Sequence, residues 1–196
     1  MSFRFRDLVI AFVALIVLSP LMASIIWVLA ITQKKVFFRQ QRPGLRETPF
    51  TLIKFSTLRD VFPGEEEFGD LRLRLTPVGR YLRKFSLDEL PQLFNVLRGD
   101  MSLVGPRPLL MEYLKLYTEA EKLRHAVRPG ITGWAQINGR NRLSFKEKFQ
   151  LDIWYVQNRS HFLDLKILAL TVLRIFNGKD VYRETPASSG KFDGSN

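Results

Sequence analysis

Residues 8–31 read LVIAFVALIVLSPLMASIIWVLAI, from Leu8 to Ile31 without a charged side chain. About 20 apolar residues suffice to cross a bilayer core, so this stretch decides between a soluble domain and a membrane protein. Three readings compete. Arg4 and Arg6 ahead of the apolar run Leu8 to Leu18 look like the start of a cleaved leader. The run resumes at Ile25 with no good small-x-small cleavage site between, which sets that reading aside. A spanning helix must export one of its flanks, and both are basic: Arg4 and Arg6 before, Lys34, Lys35 and Arg39 after. Ser19-Pro20 falls near the middle. Pro20 lacks an N–H and its ring collides with the Ile16 carbonyl, which bends a helix. Spanning helices tolerate such kinks when neighbours satisfy the freed carbonyl. A kinked spanning helix and a hairpin that enters and leaves by one face both stay open. The equal charge at the two ends tips the balance slightly toward the hairpin.

Beyond this segment the composition restricts the chemistry. The 196 residues suggest one domain with an appended membrane segment, and the net charge of +11 calls for an anionic partner. With no cysteine, disulfides, thiolate metal sites and cysteine nucleophiles are excluded. His125 and His161 are the only histidines, too few for a histidine-rich metal site.

The remaining pattern is mixed and mainly helical. Val36 to Phe38 and Phe50 to Phe55 read as strands around a turn at Arg42-Pro43-Gly44. Asp60 to Asp70 is an acidic loop with Pro63-Gly64. Thr76-Pro77 is a helix start, with Thr as N-cap and Pro at the first helical position, for a helix to about Lys84. Leu110, Tyr113, Leu114, Tyr117 and Leu123 have helical spacing and predict one helix over Leu109 to Val127. Gly130 to Asn141 is a loop or short strands, and Phe145 to Val156 a helix. Phe162 to Phe176 is apolar but interrupted by Asp164, Lys166 and Arg174; it is either a core helix or an amphipathic helix lying in a membrane interface. The expected organisation is an anchor over 1–35, a catalytic domain over 36–183, and a loose tail over 184–196.

Three clusters carry candidate chemistry. The first is Ser86-Leu87-Asp88-Glu89. Ser86-x-x-Glu89 has the form of a capping box. Pro91 argues against it, because at the fifth helical position it forfeits a hydrogen bond to Leu87. A helix starting near Pro91 instead leaves both carboxylates on its approach. Adjacent carboxylates can share Mg2+ with substrate phosphates, and one can attack phosphorus as a nucleophile. Arg80, Arg83 and Lys84 stand nearby to neutralise phosphates. The second is Gly99 to Pro108, where Pro106 and Pro108 stiffen the backbone around Arg107, a guanidinium suited to bidentate phosphate binding. The third is Arg128 to Asn141, which puts backbone amides, amide side chains, Trp134 and basic residues in one loop. That set suits a nucleotide, but it is neither a Walker loop nor a dinucleotide fingerprint. Each cluster also has a bland structural reading: a cap, a turn, a polar loop.

Taken in order, Lys54-Phe55-Ser56-Thr57-Leu58-Arg59, Ser86 to Leu97 (SLDELPQLFNVL), Gly99 to Pro108 and Arg128 to Asn141 closely resemble the bacterial sugar transferase family, the monotopic phosphoglycosyl transferases. The resemblance runs from the apolar segment to about Val156. It implies a re-entrant, helix–break–helix anchor with the break at Ser19-Pro20, followed by a catalytic domain with a small β element and interfacial helices on the cytoplasmic face of the inner membrane. It implies transfer of a sugar phosphate from a UDP-sugar to undecaprenyl phosphate, with release of UMP. Asp88 matches the nucleophile that carries a covalent phosphosugar, and Glu89 its partner; both match the positions that hold Mg2+. Lys54, Arg83, Arg107, Arg128 and Arg140 match substrate- or phosphate-binding positions. Asp152 lies in a matched stretch without an assigned role. Leu58 stands where methionine is usual, a near-isovolume change. Implied partners are the two substrates, anionic membrane lipids and downstream membrane glycosyltransferases. Two other classes explain less. A membrane-surface interaction protein has no need of Asp88 and Glu89. A nucleic-acid binder accounts only for the charge, and no nucleic acid is expected.

Overall fold

The computed structural model describes residues 2–33, 35–60, 73–139, 142–177 and 192–194. The acidic loop past Asp60, Arg140, and residues 184–191 of the tail lie outside the described residues. The apolar segment forms α1 (Phe3–Thr32), a single helix of 30 residues, about 45 Å long at the standard rise. Where a helix–break–helix was expected, the helix continues through Ser19-Pro20. Pro20 cannot serve the Ile16 carbonyl, and the Ser19 hydroxyl donates to that carbonyl instead, at 2.8 Å. The Ser24 hydroxyl donates to the Pro20 carbonyl at 2.9 Å.

One stripe of α1 is buried along its length: Asp7, Ala11, Met22, Ile25 and Leu29, with Leu15 and Leu18 packed alongside. Its first half packs with Val96 and Leu103, its second with Phe55 and Leu82. The opposite face, including Phe12, Val13, Ile16, Val17, Trp27 and Ile31, is exposed. Both ends are fastened to the same body. At the start, Arg6 pairs with Asp164 at 2.5 Å and Arg4 donates to the Leu97 carbonyl at 2.9 Å. At the end, the Gln33 amide donates to the Ser56 carbonyl at 3.2 Å.

β1 (Phe37–Pro43) and β2 (Pro49–Phe55) form an antiparallel hairpin in which Phe38 faces Lys54 and Arg42 faces Phe50. β1 is longer than its apolar run suggested, and Arg42-Pro43 is strand rather than turn. The turn comes at Leu45–Glu47, where Arg46 and Glu47 take positive φ. α2 (Pro77–Lys84) starts as expected, with the Thr76 hydroxyl accepting from the Gly79 amide at 2.9 Å. A Cβ on Gly79 would lie 2.1 Å from the Thr57 carbonyl oxygen, so glycine lets α2 sit directly on the segment that follows β2.

α3 (Gln92–Arg98) begins after Pro91. β3 (Ser102–Val104) and β4 (Gly130–Thr132) pair in parallel. This pairing sets Gly105 against Gly130 so closely that a Cβ on Gly130 would lie 2.1 Å from the Gly105 nitrogen. Between the two strands the expected long helix is broken into 3-10 turns at Met111–Lys115 and Leu123–Ala126 around α4 (Glu119–Lys122). The cause lies inside the apolar pattern: Thr118 adopts extended backbone and forms a capping box with Glu121, which starts a new helix. α5 (Trp134–Asn138) is a short helix where loop or strand was expected. α6 (Phe145–Asn158) and α7 (His161–Asn177) follow. The tail is not wholly loose: Phe192 is buried among Tyr113, Tyr117, Phe145 and Phe149.

Candidate active site

The site begins with an unusual backbone. Past α2, Ser86 takes a left-handed conformation, φ 54°, uncommon for a residue with a Cβ. Its side chain caps nothing, so the capping box is not formed. One 3-10 turn, Leu87–Glu89, then leads through Pro91 into α3. Both carboxyl groups turn inward, leaving Asp88 9% and Glu89 8% exposed.

The two neighbours meet opposite surroundings. Glu89 Oε1 accepts from Lys54 Nζ and from Arg107 Nη2, each at 2.6 Å. Burial alone pushes its pKa up, but Arg107 and Lys54 override that and hold it well below the usual carboxylate range. Asp88 has no ion pair or hydrogen bond among the described residues. Burial, reinforced by the charge of Glu89, raises its pKa against the pull of Lys54, Arg83 and Arg107. Glu89 is therefore a fixed, neutralised anion, while Asp88 is a poorly solvated carboxyl that no cation touches directly among the described residues. Burial lowers the Lys54 ammonium, with Glu89 opposing; Glu89 raises Arg107.

Each cation is positioned by its own element. Lys54 comes from β2, which α3 locks in place through Asn95. The Asn95 amide accepts from the Ile53 nitrogen at 3.2 Å and donates to the Thr51 carbonyl at 2.8 Å. Arg107 leaves the backbone just after β3. Arg124 holds its main-chain carbonyl at 2.7 Å while pairing with Asp152 at 2.7 Å. Arg83, in the last turn of α2, donates from Nε to the Thr57 hydroxyl at 3.0 Å. Asn95, Arg124 and Asp152 had no role in the sequence reading. The one available signal was a polar Asn95 on the apolar side of a short helix.

Arg128 is not brought to this cluster. Its Nε donates to the Gly99 carbonyl at 2.8 Å, at the C-terminal end of α3, where Arg4 also binds carbonyls. A cation there complements the negative end of the helix. The dyad lies at the other end of α3. His161 stacks on Phe3 at 4.0 Å, and His125 is buried, its pKa lowered to about 4 by burial and by Arg124.

Among the described residues no group of three His, Asp or Glu side chains converges on one point. A divalent ion held by protein alone is thus not provided for by these residues. Two adjacent carboxylates do suit Mg2+, which takes one or two carboxylates and completes its octahedron with phosphate oxygens and water.

Two adjacent buried carboxylates beside lysine and arginine, in a mainly helical domain whose N-terminal helix is long and apolar enough for a membrane anchor, are the arrangement of an enzyme that handles phosphate groups. The family model for bacterial sugar transferases matches residues 1–178, and the chain belongs to that family. Over 160 residues it is 56% identical to an uncharacterized sugar transferase, EpsL, of Bacillus subtilis, covering 82% of this chain and 79% of the relative. It is 40% identical over 192 residues to a UDP-glucose:undecaprenyl-phosphate glucose-1-phosphate transferase of Xanthomonas campestris, covering 90% of this chain but 39% of the relative. It is 39% identical over 189 residues to the exopolysaccharide production protein ExoY of Sinorhizobium fredii, covering 87% of this chain and 84% of the relative.

Proposed function

We propose that this chain transfers a sugar phosphate from a UDP-sugar to undecaprenyl phosphate by way of a phosphosugar carried on Asp88. The observation that carries this reading is the contrast within the dyad: Glu89 is neutralised by Lys54 and Arg107, while Asp88 is buried, raised in pKa and without an ion pair among the described residues. A carboxylate short of solvation is the better nucleophile. An Asp88 oxygen bonds to the phosphorus next to the sugar. The bond from that phosphorus to the bridging oxygen breaks, and the electron pair leaves with UMP. The acceptor's phosphate oxygen then attacks the same phosphorus and frees Asp88. Lys54, Arg83 and Arg107 offset the growing charge on phosphate oxygens. Asp88 and Glu89 would hold Mg2+, which supplies further charge neutralisation at the phosphates.

The reading extends to the membrane. A helix fastened to one body at its first and last turns has both ends on the same side, so α1 enters the bilayer from one face, with its exposed apolar side in lipid. α7 adds Phe162, Leu165, Val172 and Leu173 as a second exposed apolar strip, with Lys166 and Arg174 beside it for anionic headgroups. On this reading the site faces the cytoplasm at the inner membrane, which the basic residues flanking both ends of the apolar segment support, within reach of a soluble nucleotide sugar and a lipid acceptor.

The test is UMP release from a panel of UDP-sugars, beginning with UDP-glucose, with undecaprenyl phosphate and Mg2+ in detergent. UMP formation that Asp88→Asn abolishes supports the reading. Near-normal turnover in Asp88→Asn sinks the covalent route.

A further inference from the structure

Arg42 was not among the candidate residues, and the transfer chemistry above does not use it. It is half-buried on β1. In the hairpin register Phe38–Lys54, Gln40–Leu52 and Arg42–Phe50 are directly opposed pairs, so Arg42 and Lys54 project from the same face. Directly opposed residues share a face of the sheet. Along the strands they are four positions apart, about 13 Å. Arg107 pairs with Glu89, the partner of Lys54, and lines a small hollow with Pro43, the residue next to Arg42, whose guanidinium feels its charge.

Arg42 is costly as it stands. Among the described residues its guanidinium makes no ion pair. One amino group donates to Gln40 Oε1 at 2.6 Å, and its Nε is buried with no partner. Burial and the neighbouring charge of Arg107 lower its pKa to about 10. Two guanidinium groups within electrostatic reach, one of them with Glu112 nearby but no direct ion pair among the described residues, fit a site that an anionic ligand completes. Just beyond, a small hollow is lined by Pro43, Arg107, Pro108, Arg124 and His125. His125 is 7% exposed, and its Nε2 is buried without a hydrogen-bond partner.

We propose that Arg42 and Arg107 together hold the nucleotide-side phosphate of the donor, the one that departs on UMP, while Lys54 and Arg107 serve the phosphorus under attack. This rests on the transfer reading. When the bridging bond breaks, the electron pair stays on the oxygen of the nucleotide phosphate, which gains one negative charge. A second guanidinium placed there meets charge that exists only as the bond cleaves. Arg42 is therefore a substrate-binding residue for the first half-reaction and takes no part in the second, in which the nucleotide has gone.

The experiment uses the full-length protein in detergent, with Arg42→Gln and the conservative Arg42→Lys. UMP is the binding probe, uridine the control lacking phosphate, and circular dichroism the check on folding. In Arg42→Gln, UMP inhibition constants and the donor KM should each rise by about 10-fold, the loss of one charge-assisted phosphate contact. Weak uridine binding and the acceptor KM should stay as in the wild type, and Arg42→Lys should recover part of the loss. A rise confined to the acceptor KM would assign Arg42 to the lipid phosphate and overturn the proposal. Unchanged UMP binding in a folded Arg42→Gln protein would overturn it too. If the wild-type protein binds UMP through Arg42 yet releases none from any donor, the transfer reading fails and the phosphate site stands.

Discussion

Arg124 donates to the main-chain carbonyl of Arg107 at 2.7 Å with the same amino group that pairs with Asp152, also at 2.7 Å. A buried ion pair thereby fixes the backbone from which the guanidinium serving Glu89 projects. Arg124 also bonds the Tyr117 hydroxyl at 3.0 Å and stacks over Phe149. Asp152 is therefore linked to the site through Arg124 and the Arg107 backbone.

Asp152→Ala should leave the Arg124 charge buried without its counter-ion, a loss on the order of 3 kcal/mol. Thermal unfolding should show a clear drop in Tm. The donor KM should rise as Arg107 loses its support, and Asp152→Asn, which keeps the shape, should do less of both. An Asp152→Ala protein with wild-type Tm and wild-type donor KM would show that the pair supports nothing.

The dyad should respond to substitution with opposite signs. A raised carboxyl pKa means that the folded protein binds the proton more tightly than the unfolded chain, so ionised Asp88 costs stability at neutral pH. Asp88→Asn should abolish transfer and raise stability, because the neutral amide escapes the cost of a buried charge beside Glu89. Glu89 is the reverse case: a depressed pKa contributes stability above the unfolded value, lost as pH falls through the folded one. Glu89→Gln strands Lys54 and Arg107 and should lower stability by roughly 2 kcal/mol, with Arg107 partly screened by solvent. Equal Tm shifts of the same sign in the two variants would refute this division of roles.

The same asymmetry sets the acid limb of activity. Attack needs ionised Asp88, whose pKa lies above the ordinary aspartate range through burial and the adjacent Glu89. The first half-reaction should therefore lose rate, as pH falls, at a higher pH than an exposed aspartate would dictate. Glu89→Gln removes the like charge next to Asp88 and also the anion that balances Arg107 and Lys54. Both changes lower the Asp88 pKa, so the limb should move to lower pH in whatever activity remains. Single-turnover UMP release across pH checks this, and a limb that stays put or moves upward would count against it.

How far the sequence carried the reading varied by element. Thr76-Pro77 signalled the start of α2, and Pro91 signalled that α3 begins after the dyad; both signals are local and came true locally. Thr118-x-x-Glu121 is an equally local start signal, but it was submerged in an apolar pattern that suits one longer helix. The gathering of Lys54, Glu89 and Arg107 could be inferred only from the family resemblance, because the residues lie far apart in the chain. Arg128 was matched to a substrate-binding position by the family resemblance; its bond to the Gly99 carbonyl at the end of α3 was not legible, since an arginine beside free carbonyls reads the same in sequence as one beside phosphate. Asn95, Arg124 and Asp152 were illegible because each acts through a partner on another element. The parallel pairing of β3 with β4, which brings the Gly105 and Gly130 loops into contact, leaves no trace in strands of three residues each.

The final prediction concerns how α1 is held. Ser19 compensates for Pro20 at the Ile16 carbonyl, so the helix does not depend on Pro20 to keep its two ends together. That task falls to the fastenings: Arg6 with Asp164 and the Leu103 amide with Asp7 at one end, Gln33 with Ser56 at the other. The chain has no native cysteine, so a single one introduced at Ser2, and separately at Lys35, reports the side of the membrane without ambiguity. Pro20→Ala alone should leave both positions on the cytoplasmic side. Pro20→Ala combined with Arg6→Ala restores a regular helix and frees its start, and it also removes one of the basic residues that, on the proposed topology, favour the cytoplasmic side for that end. The label at Ser2 should then become partly accessible from outside while Lys35 stays inside. If Pro20→Ala by itself moves Ser2 outward, the proline bend and not the ion pair keeps the anchor on one face.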